Sequence, residues 1–389
     1  MQATRTAAAL TATKPMPSLV PASRIYYLDW LRVALTILVI VHHIGQAYGP
    51  TGGYWPVQAP TRAAILAPFF SVNRSFFMSL FFMISGYFMV AAYEHNGFAR
   101  FLRNRLVRLG VPVVAFAALM LPARIFIFGE HITSWQDYFN AAHLWYLEHV
   151  LLFSVVYALW QKIREMRKRP AAGAEGARVE GAAARQAKRP APGLPVTFAV
   201  LLLVAVACGI VRIWSPIDRW MNLLGFFRVP FADVPRDLAF FIFGAMAFRN
   251  GWFDSFPVRR GMIWLAVGLA AAAAWFAWSL IPHARISDLA SDISYLVWEE
   301  LVCFGMCIGL LVLFRQGANA QGRLGKTLAA NQYSAYFWHP LLVVGIQMAF
   351  AALPLGPFVK FIGVSLIGVP IVFFWSWLFR NIRAVRGVL

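Results

Sequence analysis

The segment Leu28-Asp29-Trp30-Leu31-Arg32 leads directly into an apolar run that carries His42 and His43. Ionisable groups in such a run are costly in hydrocarbon and mark pathways, relays or sites. With the chain helical from Asp29 onward, Arg32 and His43 are three turns plus about 20° apart, so they share one face at an axial separation of about 16 Å. Asp29 lies one turn before Arg32 on nearly that face, placed to pair with its guanidinium. His42 points about 100° away from His43. A neutral imidazole offers a general base or a transient acyl carrier, and a cation beside it orients groups or neutralises developing charge. The plain structural alternative is an anchoring arginine and a histidine satisfied by a neighbouring helix. Two mid-span histidines with an in-phase arginine favour a buried site.

A second constellation runs from Arg100 through Arg103 and Arg105 to Arg108, ahead of Pro112. Arg105 and Arg108 are neighbours on a helix, and guanidinium forks match phosphate oxygens in two-point geometry. The cluster could hold a polyphosphate such as coenzyme A, or it is an ordinary basic inner loop. His143, Glu148 and His149 fall together at the start of a later span. A carboxylate near an imidazole can fix its tautomer, but His143 and Glu148 are five residues apart on different faces, which favours interfacial anchoring. Glu299 and Glu300 sit about two turns inside a span and demand a cation, with Arg228, Arg236 and His43 all available. His339 precedes Pro340, which frees a backbone carbonyl. Tyr54, Trp55, Trp135, Tyr138, Trp214 and Trp220 could stack on sugars or form the interfacial belt.

The elements that carry these residues follow from composition. The 389 residues are 60% hydrophobic and 13% charged, with 34 Phe and 15 Trp, far from the soluble norm. An all-α polytopic membrane protein is expected. Ten apolar runs are candidate spans: 33–47, 75–93, 109–128, 144–160, 195–211, 238–248, 261–281, 293–314, 333–353 and 361–379. The sixth spans only if Val234 to Asp237 also sit at membrane depth. Ten spans with both termini cytoplasmic put 26 of the 35 Lys and Arg residues inside and 9 outside, as the positive-inside rule requires.

The expected organisation is an N-terminal cytoplasmic segment (1–28), four helices bearing the active site (29–160), a disordered basic linker (161–194), six further helices (195–380) and a short tail (381–389). No cleaved leader is expected, since the first 24 residues lack an apolar core. The net charge of +19 is spread over inner loops rather than one face, which points to an anionic inner leaflet and away from nucleic acid. Cys208, Cys303 and Cys307 show no disulfide or metal-ligand spacing, and no metal is expected. Gly305 and Gly309 alternate with the last two cysteines in a run that would allow close helix contact.

Together these pieces resemble the acyltransferase-3 family of membrane acyltransferases, in its branch related to glucan biosynthesis. The resemblance rests on Arg32 and His43 with ten residues between them and on the LDWLR lead-in. The stretch Phe81-Phe82-Met83-Ile84-Ser85-Gly86-Tyr87, the pair Arg105 and Arg108, and the HLWYL segment from His143 also match, as do Tyr336 and His339 more weakly. It implies an acyltransferase of the acetyl or succinyl class. The acyl group would pass from cytoplasmic acyl-CoA to a hydroxyl of an extracytoplasmic carbohydrate, across a bacterial inner membrane. His43 and Arg32 would be catalytic, and Arg105, Arg108 and Arg103 would bind the donor. Asp29, His143, Glu148, Glu299, Glu300 and His339 are candidate supporting groups. No fused esterase-like domain is expected after Phe379. The reading from another class is a glycan or lipid transporter with the same charges lining its path.

Overall fold

The computed structural model describes residues 25–51, 55–126, 141–167, 189–224, 227–280 and 288–388. Among them are ten long helices: α1 (Tyr26–Gln46), α2 (Leu66–Arg105), α3 (Val111–Phe126), α4 (Trp145–Arg167), α5 (Leu194–Trp214), α6 (Val234–Asn250), α7 (Val258–Leu280), α8 (Asp288–Gly317), α9 (Arg323–Ala351) and α10 (Pro357–Arg380). Each expected apolar run centres on one helix. Eight stretches are long and apolar enough to cross a bilayer, because α2 and α3 form one continuous stretch, Leu66–Pro122, and the 17 residues of α6 fall short. The chain is a helical multi-pass membrane protein. Its N-terminal residues 1–24, linker residues 168–188 and the aromatics Tyr54, Trp135 and Tyr138 lie outside the described residues. Helix α4 continues to Arg167, seven residues into the segment expected as linker.

One departure from all-helix is an antiparallel hairpin between α5 and α6, pairing β1 (Met221–Leu223) with β2 (Phe227–Val229) in the register Asn222 to Arg228. A loop outside hydrocarbon is free of the requirement that every backbone group bond within a helix, and short strands flanking a turn satisfy it across the pair instead.

Helix α1 packs against α2, α8, α9 and α10, with Leu28, Leu31, Leu35, Ile40 and Ile44 fully buried. An apolar helix enclosed this way must turn its polar face onto protein or an internal cavity, not lipid. Helix α2 bends at Gly97, whose φ of 68° suits glycine. It then passes through a π-helical turn, Leu106–Gly110, into α3. The arginine cluster occupies this bend and turn, a kind of helix irregularity common at functional sites.

Small residues set the closest helix crossings. A Cβ on Gly244 of α6 would stand 1.9 Å from the Met83 carbonyl oxygen of α2, and one on Gly86 would stand 2.0 Å from that of Phe241. The run anticipated in α8 behaves likewise: a Cβ on Gly305 would lie 2.5 Å from the Gly268 Cα of α7, while the Cys307 thiol donates to the Phe76 carbonyl of α2 at 3.6 Å. Gly244→Ala therefore has to push α6 off α2. We expect a loss of about 1–3 kcal/mol, read as a lower unfolding midpoint in detergent. Gly345→Ala, where nothing lies within 4 Å, should leave the midpoint in place, and equal midpoints for both variants would contradict the packing.

Candidate active site

Helix α1 begins at one face of the bundle, the near face, and ends at the other, the far face. Three cavities follow it from one to the other. The near cavity, about 500 Å³, is lined by Arg32, Ser85, Asn104, Arg105 and Arg108. A middle cavity of about 50 Å³ shares Arg32, Ile84 and Ser85 with it and ends at Tyr336. The far cavity, about 400 Å³, has Tyr336 on its wall with His43, His143 and Gln46. Tyr336 thus stands between the middle and far chambers. Arg32 and His43 do share a face of α1, but they line different chambers rather than one common site.

At the near end, Arg105 stacks over the Phe101 ring at 5.2 Å. The Arg108 carbonyl, inside the π turn, accepts a hydrogen bond from Tyr333 Oη at 2.5 Å. Two guanidiniums, together with Arg32 deeper in, face one chamber. Arg103 is exposed and lies outside that lining. Asp29 sits a turn before Arg32, and its charge acts on that guanidinium. At the narrow point Tyr146 Oη donates to the Phe81 carbonyl at 3.2 Å and accepts from Ser85 Oγ at 2.6 Å.

The far chamber is organised around one carbonyl. Pro340 has no N–H, so the Tyr336 carbonyl four residues earlier loses its helical donor. Two imidazoles take the vacant place: His143 Nε2 at 2.9 Å and His339 Nδ1 at 2.8 Å. Tyr336 Oη in turn donates to the His143 carbonyl. Ala142, with φ 45°, holds a left-handed conformation unusual for alanine and sets the turn into His143. A carbonyl only accepts, so His339 carries its proton on Nδ1 and presents a lone pair at Nε2. His43 Nδ1 lies 3.2 Å from that Nε2 and 2.9 Å from the Val39 carbonyl. Both neighbours accept, which places the His43 proton on Nδ1 and leaves Nε2 basic. The ring borders the far cavity. His42 borders the same cavity while packing among Phe69, Phe70 and Phe77, and accepts from Gln46 Nε2 at 3.2 Å.

Beside this chamber lies a buried ion network. The cation for Glu299 is Arg236, at 2.8 Å, together with Arg212, at 2.6 Å. Arg236 also meets Asp233 at 2.9 Å and Glu300 at 3.7 Å. Arg74 joins Asp233 at 3.3 Å and Asp218 at 2.7 Å, and Ser79 donates to Asp237 at 2.8 Å. Burial opposes ionisation of Asp233, but Arg74, Arg236 and Arg212 outweigh it and hold this carboxyl well below the usual carboxylate range. The network joins α2, α5, α6 and α8, and explains why α6 starts at Val234 with charged residues in its first turn. Neither Arg228 nor His43 is the partner of Glu299 or Glu300. Arg228 donates its backbone N–H to Glu148 at 3.2 Å and stacks on Trp220 at 5.0 Å.

The structure therefore brings His43, His143 and His339 together, groups Arg32, Arg105 and Arg108 at the other end, and leaves Glu148 and His149 buried under the hairpin. Tyr336, Tyr146, Ser85, Arg74, Arg212 and Asp237 were not singled out as chemistry by their spacing. Two signals pointed toward some of them: the FFMISGY and HLWYL stretches and the carbonyl freed by Pro340. Of the candidate sugar-stacking residues, Trp220 lines the far cavity. Trp55 lies 5.4 Å from the His43 ring and donates to Gln347, and Trp214 packs on Phe231. Among the described residues no three His, Cys, Asp or Glu side chains converge as metal ligands.

An acyltransferase domain of the acyltransferase-3 type matches residues 25–380. The chain belongs to that family. Similar proteins include the glucans biosynthesis protein C of Salmonella paratyphi B, of Salmonella heidelberg and of Salmonella enteritidis PT4. Each is 32% identical over 174 residues, or 40% of this chain and 45% of the relative. The match thus spans less than half the length of these relatives. No solved structure matches.

Arg236→Met strips Glu299 and Asp233 of a fully buried cation. Breaking such a pair costs about 3–5 kcal/mol, so we expect the folded, monodisperse fraction in detergent to collapse. A variant as heat-stable as the parent would show that the network does not tie these helices.

Proposed function

We propose that this acyltransferase takes an acyl group, of the acetyl or succinyl class, from acyl-CoA at the near face and places it on a carbohydrate hydroxyl at the far face. The observation that carries the reading is the file of three cavities, with guanidiniums at one end and a basic imidazole at the other. The carbohydrate acceptor is suggested by the name of the similar glucans biosynthesis proteins. The near face is then cytoplasmic, in keeping with the weight of basic residues in the loops on that side. Ten spans, with both termini cytoplasmic, and a bacterial inner membrane complete this reading. A reporter at the C-terminus should be accessible only from the cytoplasm, and external labelling there would overturn the topology.

Arg105 and Arg108 hold the phosphates of the donor in the near cavity. A chamber of about 50 Å³ is too small for a nucleotide, so only the slender thioester arm advances past Arg32 and Ser85. At the far end, His43 Nε2 removes the proton of the acceptor hydroxyl as its oxygen bonds to the thioester carbonyl carbon. The carbon–sulfur bond then breaks, and the coenzyme A thiolate leaves and is protonated. His339 fixes the tautomer of His43, and Tyr336 controls passage between the chambers.

His43→Ala is expected to abolish acyl transfer while the protein stays folded and inserted; normal product formation would reject the role of this imidazole. For Arg105→Ala and Arg108→Ala, each losing a charge-assisted hydrogen bond of about 1.5–3 kcal/mol, the expected outcome is a KM for acyl-CoA raised at least about ten-fold. Their kcat should move far less, and an unchanged KM would place the donor elsewhere. Turnover of acetyl- or succinyl-CoA by the purified protein also separates this reading from that of a plain transporter.

A further inference from the structure

The far cavity does not end at the chamber of His43. A second cavity, about 780 Å³, continues from it and shares Gln46, Thr51, Arg74 and Asp218 with it. The ion pair of Arg74 with Asp218 forms the ridge between the two lobes. On the outer side of the ridge stand Trp275, Tyr295 and Trp298. The two indoles are stacked 4.3 Å apart at 26°, and Tyr295 lies 5.5 and 5.3 Å from them. Trp298 Nε1 donates to the Ala271 carbonyl at 2.9 Å, so the platform is pinned across α7 and α8. Ser71, Ser294 and Asp292 supply hydrogen-bonding groups around the same lobe.

We propose that this second lobe is an oligosaccharide subsite: it holds the sugar units next to the one whose hydroxyl reaches His43, so the acceptor is a chain of sugars rather than a single ring. An aromatic face flanked by hydroxyl and carboxylate groups suits a ring with an apolar C–H face and a hydroxylated rim. Charge argues against an anionic lipid headgroup as occupant. Arg74 and Arg236 are already bound to carboxylates, and the two lobes together present four acids, Asp218, Asp233, Asp237 and Asp292, against those two bases. A phosphate would be repelled where a neutral polyol is not. Each lobe alone falls within the roughly 300–1,000 Å³ usual for ligand cavities.

The inference rests on the acyl-transfer reading for the class of acceptor, and its test separates the two. The purified full-length protein is given acetyl-CoA and a ladder of gluco-oligosaccharides from the monosaccharide upward, with binding of the same ladder followed by calorimetry. We expect affinity to rise with length until the second lobe is filled and then to level off. Trp275→Ala and Trp298→Ala should each raise the KM of the longer acceptors by about ten-fold, with Trp275→Phe restoring most of it. Donor binding at the near cavity checks that the variants are folded. Affinity independent of length, or tryptophan variants that weaken every acceptor alike, would overturn the subsite. So would saccharide binding that is displaced by short-chain phosphatidylglycerol and lost with the same tryptophans, since the lobe would then be a lipid site. Length-dependent binding without acyl transfer would sink the reaction but keep the subsite.

Discussion

A polar group carried into hydrocarbon must find its partner inside the protein, and this requirement shapes the bundle more than any other. Helix α1 satisfies it by lying at the centre, wrapped by α2, α8, α9 and α10, so that Arg32, Thr36 and His43 open onto internal chambers. The same demand accounts for α6, which is too short to span on its apolar residues alone. Its charged first turn is buried in the bundle because Glu299 and Asp233 meet Arg236 there.

The separation of two polar clusters along one helix follows from α1 acting as a rod of fixed rise. Phosphate-matching guanidiniums gather at one end and a basic imidazole at the other, with tyrosines and a serine at the narrow point between. The chamber between them, about 50 Å³, is too small for any large group. His43 is oriented in the far chamber without a carboxylate partner. The Val39 carbonyl and His339 do the orienting, the latter through a carbonyl that a proline has released from its helix.

Rigidity at that chamber has two sources. Glycines let α2 meet α6, and α7 meet α8, at distances where no side chain fits, which gives dispersion contact in a solvent that supplies no hydrophobic drive between helices. The ion network then joins α2, α5, α6 and α8 on one side of the cavity. Such a network is weak evidence of stability in itself, but its removal leaves uncompensated charge, so it commits the four helices to a single arrangement.

Much of this was legible in the residues alone. Apolar runs located the helices because their length and composition answer to the bilayer locally. The spacing of Arg32 and His43 set their shared face because helix periodicity is local too, and the small run around Gly305 and the carbonyl behind Pro340 were readable for the same reason. The hairpin before α6 was not, since nothing local distinguishes such a loop from other turns. Only the tertiary structure decided which cation answers Glu299, that His143 and His339 meet on the Tyr336 carbonyl, and that Arg32 and His43 line separate chambers. Those choices bring together residues up to 296 positions apart, through helix packing that depends on every neighbour at once.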